Sequence, residues 1–495
     1  MGELQEAIDH IQLIEHCRQA AAVLFWEAKT GTGIGRKRQY AKVQGTLTKK
    51  VIELQTDPRF GRLLQNLLQR DLDEVHRKQF EFHLKNYQYL SSLPVEEFQQ
   101  FSQKKAAAYS HWASAKRLKD FKLVEKDLAD LIETQKRFAY LNNKHEAPYN
   151  QLLDRYEPGI HTEKIDCLFK NIKDTTIKLL DRIQKAPVQP DSSFFRRPFP
   201  LEKQEQLAHQ LLTAIGYRMD AGKLAPTLHP FSSGIHPDDA RLAVKYAEND
   251  VKSAALMTLH EGGHSLYNQN ISKELVDTGL AVYTSMGLHE SQAIFWEKMI
   301  GKHKGFWKQH FHFFQKLMPE VYSHISLDQF YFSLCEVKPS LIRYEADDIT
   351  YPLHVIIRYE IEKDLFADKL KVSDLPEVWN DKYRNYLGIV PQNDCEGVLQ
   401  DVHWYFGLFG YFPSYLIGFI YAAQLREAMI KDMPNFDVLA QEDLSAILKW
   451  KTKHIYQYGK LKTSKEILKD LSINEINEKP LLTYLTQKYE DIYRL

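Results

Sequence analysis

Apolar side chains recur along most of this chain with the three- and four-residue spacing of a helix. Across Leu4–Glu27 the apolar positions keep this spacing, which predicts one long amphipathic helix. The segments Phe60–Leu90 and Phe98–Leu141 are rich in charge and free of proline. We interpret the second as one extended helix with a solvated, charged face. The pattern therefore predicts a mainly α-helical protein.

Two segments depart from this pattern. Across Asp239–Tyr246 every second residue is apolar, and Arg241 and Lys245 lie between them, which predicts a half-buried strand. The segment Ala186–Pro200 contains four prolines. It is predicted to be a loop or linker, because proline cannot continue a helix.

Composition excludes several classes of function. The 495 residues are 44% hydrophobic and 26% charged, and 65 lysines and arginines balance 65 aspartates and glutamates. Nothing here resembles the basic surface of a nucleic-acid-binding protein. The four cysteines are far apart and form no CxxC pair, which favours a reducing compartment without disulfides. Since we find neither a signal peptide nor an uninterrupted apolar run of about 18 residues, we expect a cytoplasmic protein that binds neither nucleic acid nor membrane.

Residues 249–270 carry the strongest chemical pattern. Asn249 or Asp250 can cap a helix that continues into His260-Glu261-Gly262-Gly263-His264. Positions i and i+4 share one face of a helix, so the two histidines can bind one metal ion. Glu261 lies about 100° around the helix, where it can act as general base on a metal-bound water without binding the ion. This HExxH pattern is typical of a zinc peptidase.

A catalytic zinc site needs a third protein ligand. Asn270 occupies the place where the short HExxHxxGxxH pattern would put a third histidine, so a later carboxylate is expected. Glu290 follows His264 by 26 residues, which leaves room for one loop and a returning helix. Glu297 is the alternative, but it resembles a salt-bridging helix residue, and we favour Glu290. The two glycines of the motif each weaken a helix and indicate the close approach of another group to its backbone.

Further short motifs accompany the HExxH pattern. They are HPF at 229–231, DxRxT at 239–243, HESQ at 289–292, IRxxAD at 342–347, GxxQDxHW at 397–404 and GYFPxY at 410–415, with smaller matches at Trp26, 156–159 and 488–493. Together they resemble the carboxypeptidase Taq family of zinc metallocarboxypeptidases over essentially the whole chain. Ala243 stands where the family has threonine, a departure that concerns the strand's hydrogen bonding more than the chemistry.

The resemblance implies a fold and an assembly. It implies a large, mainly α-helical metallopeptidase body with a deep cleft and a small β-sheet, similar to thimet-type oligopeptidases. Residues 1–495 are then one domain, in which helices of about residues 1–185 form one wall of the cleft and residues 200–495 carry the metal site. It also implies a homodimer that acts on peptides.

The resemblance assigns roles to individual residues as well. It implies His260, His264 and Glu290 as ligands of a zinc ion, for which cobalt or manganese could substitute. His403 and Tyr415 are implied as donors that stabilise the tetrahedral oxyanion, although a tyrosine in an aromatic run is more often part of the core. The supporting residues are expected to be His289 beside the metal site, Gln292 hydrogen-bonded near the metal helix, and Asp401 in an orienting or structural role.

A carboxypeptidase must also bind the terminal carboxylate of its substrate, and the planar guanidinium of arginine suits this task. Arg343 is the first candidate; the alternative is that it forms a buried ion pair with Glu345 or Asp347. Arg241 is the second candidate, and Arg358 a third.

The expected activity is the metal-dependent removal of single residues from peptide C-termini, with broad side-chain tolerance and poor cleavage at proline. One alternative is an oligoendopeptidase on the same fold, which would lack carboxylate capture. Another is a catalytically silent helical scaffold stabilised by its metal. Glu261 argues against the scaffold, because a purely structural site does not need a general base.

Overall fold

The apolar pattern at the N-terminus forms one long helix, as predicted, in the computed structural model, which describes residues 2–31 and 33–495. The helices of this part are α1 (Glu3–Thr30), α2 (Ile34–Gln55), α3 (Pro58–Leu67), α4 (Glu74–Ser91), α5 (Val95–Leu118), α6 (Lys122–Asn142), α7 (Pro148–Asp154), α8 (Thr162–Gln184) and α9 (Leu201–Ala214). Ile11 and Ile14 of α1 pack with Phe60 of α3 and Phe80 of α4 in a small, separate apolar core.

The prediction of one extended helix over Phe98–Leu141 is wrong. Helix α5 ends at Leu118, and Lys119 adopts a left-handed conformation with φ 58°. The chain then turns into α6, and the two helices pack against each other. A distant contact fixes this turn, because the backbone N–H of Phe121 donates to the carboxylate of Asp394 over 2.9 Å. Such a contact is invisible to local periodicity.

Three strands form the small sheet. They are β1 (Gly222–Pro226), β2 (Phe231–His236) and β3 (Asp239–Val244), in the spatial order β1-β3-β2. Strand β3 pairs in parallel with β1 and antiparallel with β2, so β2 is an edge strand. The predicted strand is therefore confirmed up to Val244. The proline-rich segment Ala186–Pro200 is irregular apart from a short 3-10 turn at Ser193–Arg196.

The helices that follow the sheet build the main core. They are α10 (Val251–Gln269), α11 (Met286–Ile294), α12 (Lys304–Leu317), α13 (Pro319–Tyr322), α14 (Leu327–Leu334), α15 (Tyr351–Phe366), α16 (Leu375–Leu387), α17 (Phe412–Asp432), α18 (Phe436–Glu442), α19 (Leu444–His454), α20 (Ser464–Asp470) and α21 (Lys479–Tyr493). Helix α11 continues into a π-helical segment over Phe295–Ile300.

One continuous apolar cluster, reaching from Leu93 to Tyr493, surrounds α10, α11 and α17. The mainly helical fold with a small sheet is thus confirmed. In the described ranges 2–31 and 33–495, no helix is long and apolar enough to cross a membrane.

Candidate metal centre

Helix α10 carries the HExxH motif into the main core. Asp250 caps its N-terminus, since the side-chain Oδ1 accepts a hydrogen bond from the backbone N–H of Ser253 over 3.1 Å. Leu259 and Leu266 are fully buried and anchor the helix. One helical turn therefore separates two histidine side chains, His260 and His264, on a face that the next helix covers.

The third candidate ligand, the carboxylate of Glu290, lies on α11. His264 Nε2 lies 3.5 Å from Glu290 Oε2, and His260 Nε2 lies 3.9 Å from Glu290 Oε1. One donor atom from each of the three residues lies within 4.8 Å of the other two. A tetrahedral zinc ion with bonds of about 2.0–2.1 Å separates its ligand atoms by about 3.3 Å, so small side-chain adjustments suffice. The donor set and its spacing fit a divalent cation of this kind.

Two glycines allow the helices to approach this closely. A Cβ atom on Gly263 of α10 would lie 2.8 Å from the Cα of Ala293 in α11. A Cβ atom on Gly418 of α17 would lie 2.8 Å from Cβ and Cγ of Glu290. The backbone approach that the glycines of the motif indicate is therefore found at Gly263, and it sets how near α11 brings Glu290 to the histidines.

Glu297 hydrogen-bonds the second ring nitrogen of His260, the one that does not face Glu290. Its Oε2 lies 2.9 Å from His260 Nδ1, so the carboxylate accepts the Nδ1 proton and leaves Nε2 facing Glu290. The other oxygen accepts from Lys298 over 3.1 Å. Burial alone would raise the pKa of Glu297, but the charge of Lys298 and the contact with His260 lower it to about 2. Glu297 thus orients a candidate ligand and belongs to a buried ionic array.

Asp348 connects this array to the C-terminal helix. It accepts from Lys302 over 2.7 Å and from Lys298 over 3.2 Å, and Tyr489 of α21 donates to it over 2.8 Å. Although burial opposes ionisation, the neighbouring lysines hold the pKa of Asp348 well below its usual range. A chain of buried hydrogen bonds and ion pairs therefore leads from α21 to His260.

Glu261 is buried between α10 and strand β2. Burial raises its pKa, while the two histidines oppose that rise, and its carboxylate hydrogen-bonds the side chain of Ser232 on β2. Burial alone would also lower the pKa of His260, but the surrounding carboxylates, Glu290 first, raise it to about 9. The centre is rich in negative charge, as a cation site requires.

A second group of side chains faces the centre from the segment 401–415. His403 Nε2 lies 3.1 Å from the hydroxyl of Tyr415. Burial raises the pKa of Tyr415 to about 12, Arg343 opposes that rise, and the Glu290 carboxylate adds to it. Burial and the two neighbouring arginines lower the pKa of His403 to about 4, so its imidazole is neutral at pH 7.

Asp401 forms ion pairs with two arginines next to His403 and Tyr415. Its Oδ1 accepts from Arg343 over 3.1 Å, and its Oδ2 accepts from Arg358 over 2.6 Å. The guanidinium of Arg343 also lies 4.6 Å from the centre of the Tyr415 ring. Arg343 is therefore ion-paired, but with Asp401; the alternative that its partner is Glu345 or Asp347 is wrong.

Arg241 lies apart from Arg343, whereas Arg358 shares Asp401 with it. Arg241 forms a two-pronged ion pair with Asp239, at 2.7 and 2.8 Å, and stacks over Trp26 of α1. On β3 it faces away from the buried neighbour Leu242, because side chains alternate along a strand. Arg358 is completely buried and engaged by Asp401 and Gln400. Arg358 therefore shares Asp401 with Arg343 but is fully enclosed, whereas Arg241 lies apart from both.

Three further residues of the matched motifs differ in their distance from the metal centre. His289 packs beside the centre as expected, with its ring stacked 4.1 Å from that of His264. Gln292 lies next to the metal helix, since its backbone oxygen faces Gly263, and its side chain hydrogen-bonds Ser291 and accepts from Lys451 of α19. His229 is exposed in the loop before β2.

Sequence reasoning missed two buried carboxylates that hold these segments in place. Glu157 accepts from the backbone N–H of Gly287, at the start of α11, and from Ser414 over 2.8 Å. Glu362 accepts from Trp404 over 2.7 Å and from the N–H of Gly410 over 2.9 Å. Burial raises the pKa of each to about 7. Glu157 lies in the matched segment 156–159, which was the one available signal.

Comparison with known proteins agrees with this geometry. The family model of the carboxypeptidase Taq (M32) metallopeptidases matches residues 6–489. Carboxypeptidase 1 of Bacillus subtilis is 40% identical over 99% of each chain, and thermostable carboxypeptidase 1 of Thermus thermophilus is 33% identical over 97% of this chain and 98% of its own.

Solved structures give the same result. The M32 carboxypeptidase from Deinococcus radiodurans R1 superposes with a TM-score of 0.97 at 29% identity, covering 100% of both chains. A carboxypeptidase of Pyrococcus furiosus superposes with a TM-score of 0.95 at 28% identity, covering 99% of both. The chain therefore belongs to the carboxypeptidase Taq (M32) family of metallopeptidases.

Proposed function

We propose that the protein removes single residues from the C-termini of peptides and that His260, His264 and Glu290 hold its catalytic metal. The observation that carries the proposal is the convergence of these three donors within 4.8 Å of one another, beside a buried carboxylate that can act as base. Zinc fits the two imidazoles and one carboxylate best. Metal analysis of the purified protein, before and after treatment with a chelator, tests the assignment.

The proposed base is Glu261. When bound, the cation supplies a Lewis acid that polarises the scissile carbonyl and makes a water molecule more acidic. Glu261 accepts the proton of the attacking water and passes it to the leaving amine. Its raised pKa favours this exchange, because burial weakens its preference for the ionised form. The hydrogen bond with Ser232 keeps the carboxylate turned towards β2.

The proposed oxyanion donors are His403 and Tyr415. The Tyr415 hydroxyl keeps its proton at pH 7, since its pKa is about 12, and it can therefore donate. His403 is neutral and hydrogen-bonds that hydroxyl through Nε2. Donors held in place before the reaction stabilise developing charge at little reorganisation cost.

Arg343 is the proposed ligand of the substrate's terminal carboxylate. Asp401 holds its Nε and one terminal nitrogen, at 3.2 and 3.1 Å, and no hydrogen bond occupies Nη1 in the part of the chain that the structure describes. The guanidinium carbon of Arg343 lies 4.6 Å from the centre of the Tyr415 ring, which supports a carboxylate site next to the proposed oxyanion donors. Arg241, the second candidate, faces α1 and is already paired with Asp239.

A pair of peptides tests this activity against the endopeptidase alternative. One peptide ends in a free carboxylate, and the other has the same sequence with a C-terminal amide. A carboxypeptidase should shorten the first peptide from its C-terminus and leave the amide intact. Cleavage of both peptides at internal bonds would replace the proposal with an oligoendopeptidase, and no cleavage of either would favour a silent scaffold.

Several properties rest on the sequence and its family resemblance. From the resemblance we propose a homodimer with broad side-chain tolerance and poor cleavage at proline, and from the cysteine usage we propose a cytoplasmic location. Residues 1–495 as one domain, with residues 1–185 as one wall of the cleft, likewise stay a prediction. Light scattering and a peptide library analysed by mass spectrometry address the oligomer and the specificity.

A further inference from the structure

A cavity of about 410 Å³, lined by both polar and apolar side chains, lies between α1, the end of strand β2 and the loop that leads to α11. Its volume is within the range of small-molecule and peptide-side-chain sites. Six side chains give it its chemical character: Glu15, Arg18, Asn86, Asn268, Asp277 and Lys460. None of them belongs to the metal centre described above.

Strand β2 and helix α10 connect the metal centre with the cavity. On β2, Ser232 bonds the proposed base Glu261. Two residues further, about 7 Å along the strand, a Cβ atom on Gly234 would lie 2.5 Å from the side chain of Asn268. Asn268 is about 10 Å beyond Glu261 along α10. Strand and helix therefore run side by side from the base to the cavity.

The carboxylate-binding arginine lies towards the opposite end of α10. Burial raises the pKa of Glu345, and the carboxylate of Asp250, the cap at the start of α10, adds to that rise. Glu345, which shares a short turn with Arg343, is therefore within electrostatic range of the helix N-terminus. A peptide whose C-terminus meets Arg343 and whose last bond lies at Glu261 must extend its upstream residues towards the cavity. The free edge of β2 offers backbone groups to such an extended chain.

Of the two cations in the cavity wall, Arg18 and Lys460, one has no ion-pair partner among the described residues. Arg18 donates to Glu15, and Asp277 accepts from Gln19 over 3.1 Å and lies 3.5 Å from a ring nitrogen of His16. Both carboxylates of the wall are thus engaged. Lys460 has no carboxylate within 4.0 Å in residues 2–31 and 33–495; its ammonium lies 4.6 Å from the centre of the Phe82 ring. Burial, and then the charge of Arg18, lower its pKa to about 8.

We propose that this cavity is a specificity site for an acidic side chain two to four residues before the scissile bond, and that Lys460 is its counter-charge. A glutamate or aspartate there supplies the carboxylate that Lys460 lacks. The ion pair is partly shielded from water, which strengthens it relative to a surface pair. The inference rests on the proposed carboxypeptidase activity, whose substrate it specifies.

Acetylated hexapeptides with a free C-terminal carboxylate test the proposal. They carry Glu, Gln or Lys at the second, third or fourth residue before the scissile bond and are otherwise identical. The initial rate of release of the last residue gives kcat/KM. We expect the glutamate peptide to exceed the glutamine peptide by about fivefold at one of these positions. The Lys460→Met variant should bring that ratio to about one, Lys460→Arg should keep it, and Lys460→Glu should favour the lysine peptide.

A matched control is Lys462→Met, because Lys462 is a neighbouring lysine already paired with Asp470 at 2.6 Å. It should keep the wild-type ratio. Equal rates for the three peptides at every position, or a preference for glutamate that survives in Lys460→Met, would overturn the site and leave the carboxypeptidase activity standing. Failure of the carboxypeptidase proposal looks different: no peptide of the series then loses its last residue.

Discussion

Glutamine in place of Glu297 should weaken metal binding, although residue 297 is not proposed to touch the metal. The native carboxylate satisfies two donors at once: His260 Nδ1 at 2.9 Å and Lys298 at 3.1 Å. Glutamine has a single acceptor oxygen. If the buried Lys298 keeps that oxygen, the amide NH2 group faces His260 Nδ1. The imidazole must then accept at Nδ1 and carry its proton on Nε2, the nitrogen that faces Glu290 and the metal site.

The size of the effect follows from this tautomer change. Loss of an outer partner of a metal-binding histidine typically reduces metal affinity by about 10- to 100-fold, or about 1.4–2.7 kcal/mol. We expect the upper part of this range for Glu297→Gln, because the contact is buried. The ion pair of Lys298 with Asp348 also holds the lysine in place, so that it continues to donate to the oxygen of residue 297. Competition with a zinc-binding chromophore at constant pH measures the affinity directly.

Glu360→Gln is the matched control. Glu360 also accepts from two lysines, Lys173 at 2.8 Å and Lys382 at 2.6 Å, and it contacts none of the three proposed metal ligands. Its substitution should leave zinc affinity unchanged, and the circular dichroism spectra of both metal-free variants should match wild type. Wild-type zinc affinity in Glu297→Gln would refute the argument that Glu297 fixes the tautomer of His260.

Four further outcomes are expected. Glu261→Gln should lower kcat by about 10²- to 10⁴-fold with zinc still bound, and retained activity would exclude Glu261 as the base. Tyr415→Phe should lower kcat by about 10²- to 10³-fold with little change in KM, whereas a loss confined to KM would speak against an oxyanion donor. Gly263→Ala should cost about 1–3 kcal/mol of stability and weaken zinc binding as well, because its Cβ would meet backbone atoms of α11; a wild-type melting temperature contradicts this. Burial raises the pKa of Glu157 in the fold to about 7, so the protein loses stability as pH rises from about 4.5 to 7. The free energy of unfolding of Glu157→Gln relative to wild type should rise from pH 5 to pH 8 by at most about 3 kcal/mol, measured by denaturant unfolding at each pH, and an equal difference at both pH values would refute that role.

Local geometry accounts for what the sequence predicted well. The helix over α1 and the strand over β3 follow from the repeat of apolar residues alone. The pairing of His260 with His264 needs only the turn of one helix, so four residues of spacing identify it. Family motifs then added Glu290, which spacing by itself merely favoured over Glu297. The fold class and the family can be predicted without coordinates, because they depend on the periodicity of apolar residues and on short sequence motifs.

Long-range packing decided the rest. Contact between α10 and α11 at Gly263 determines which glutamate faces the two histidines and which one hydrogen-bonds Nδ1 of His260. Asp401 takes the ion pair with Arg343 because it lies next to it in space, although Glu345 and Asp347 are nearer in sequence. The break at Lys119 is fixed by Asp394, far away along the chain. Sequence alone therefore determined the metal-binding helix and the chemistry it offers. Only the tertiary structure decided the partners, because side chains distant in sequence meet only when the helices pack.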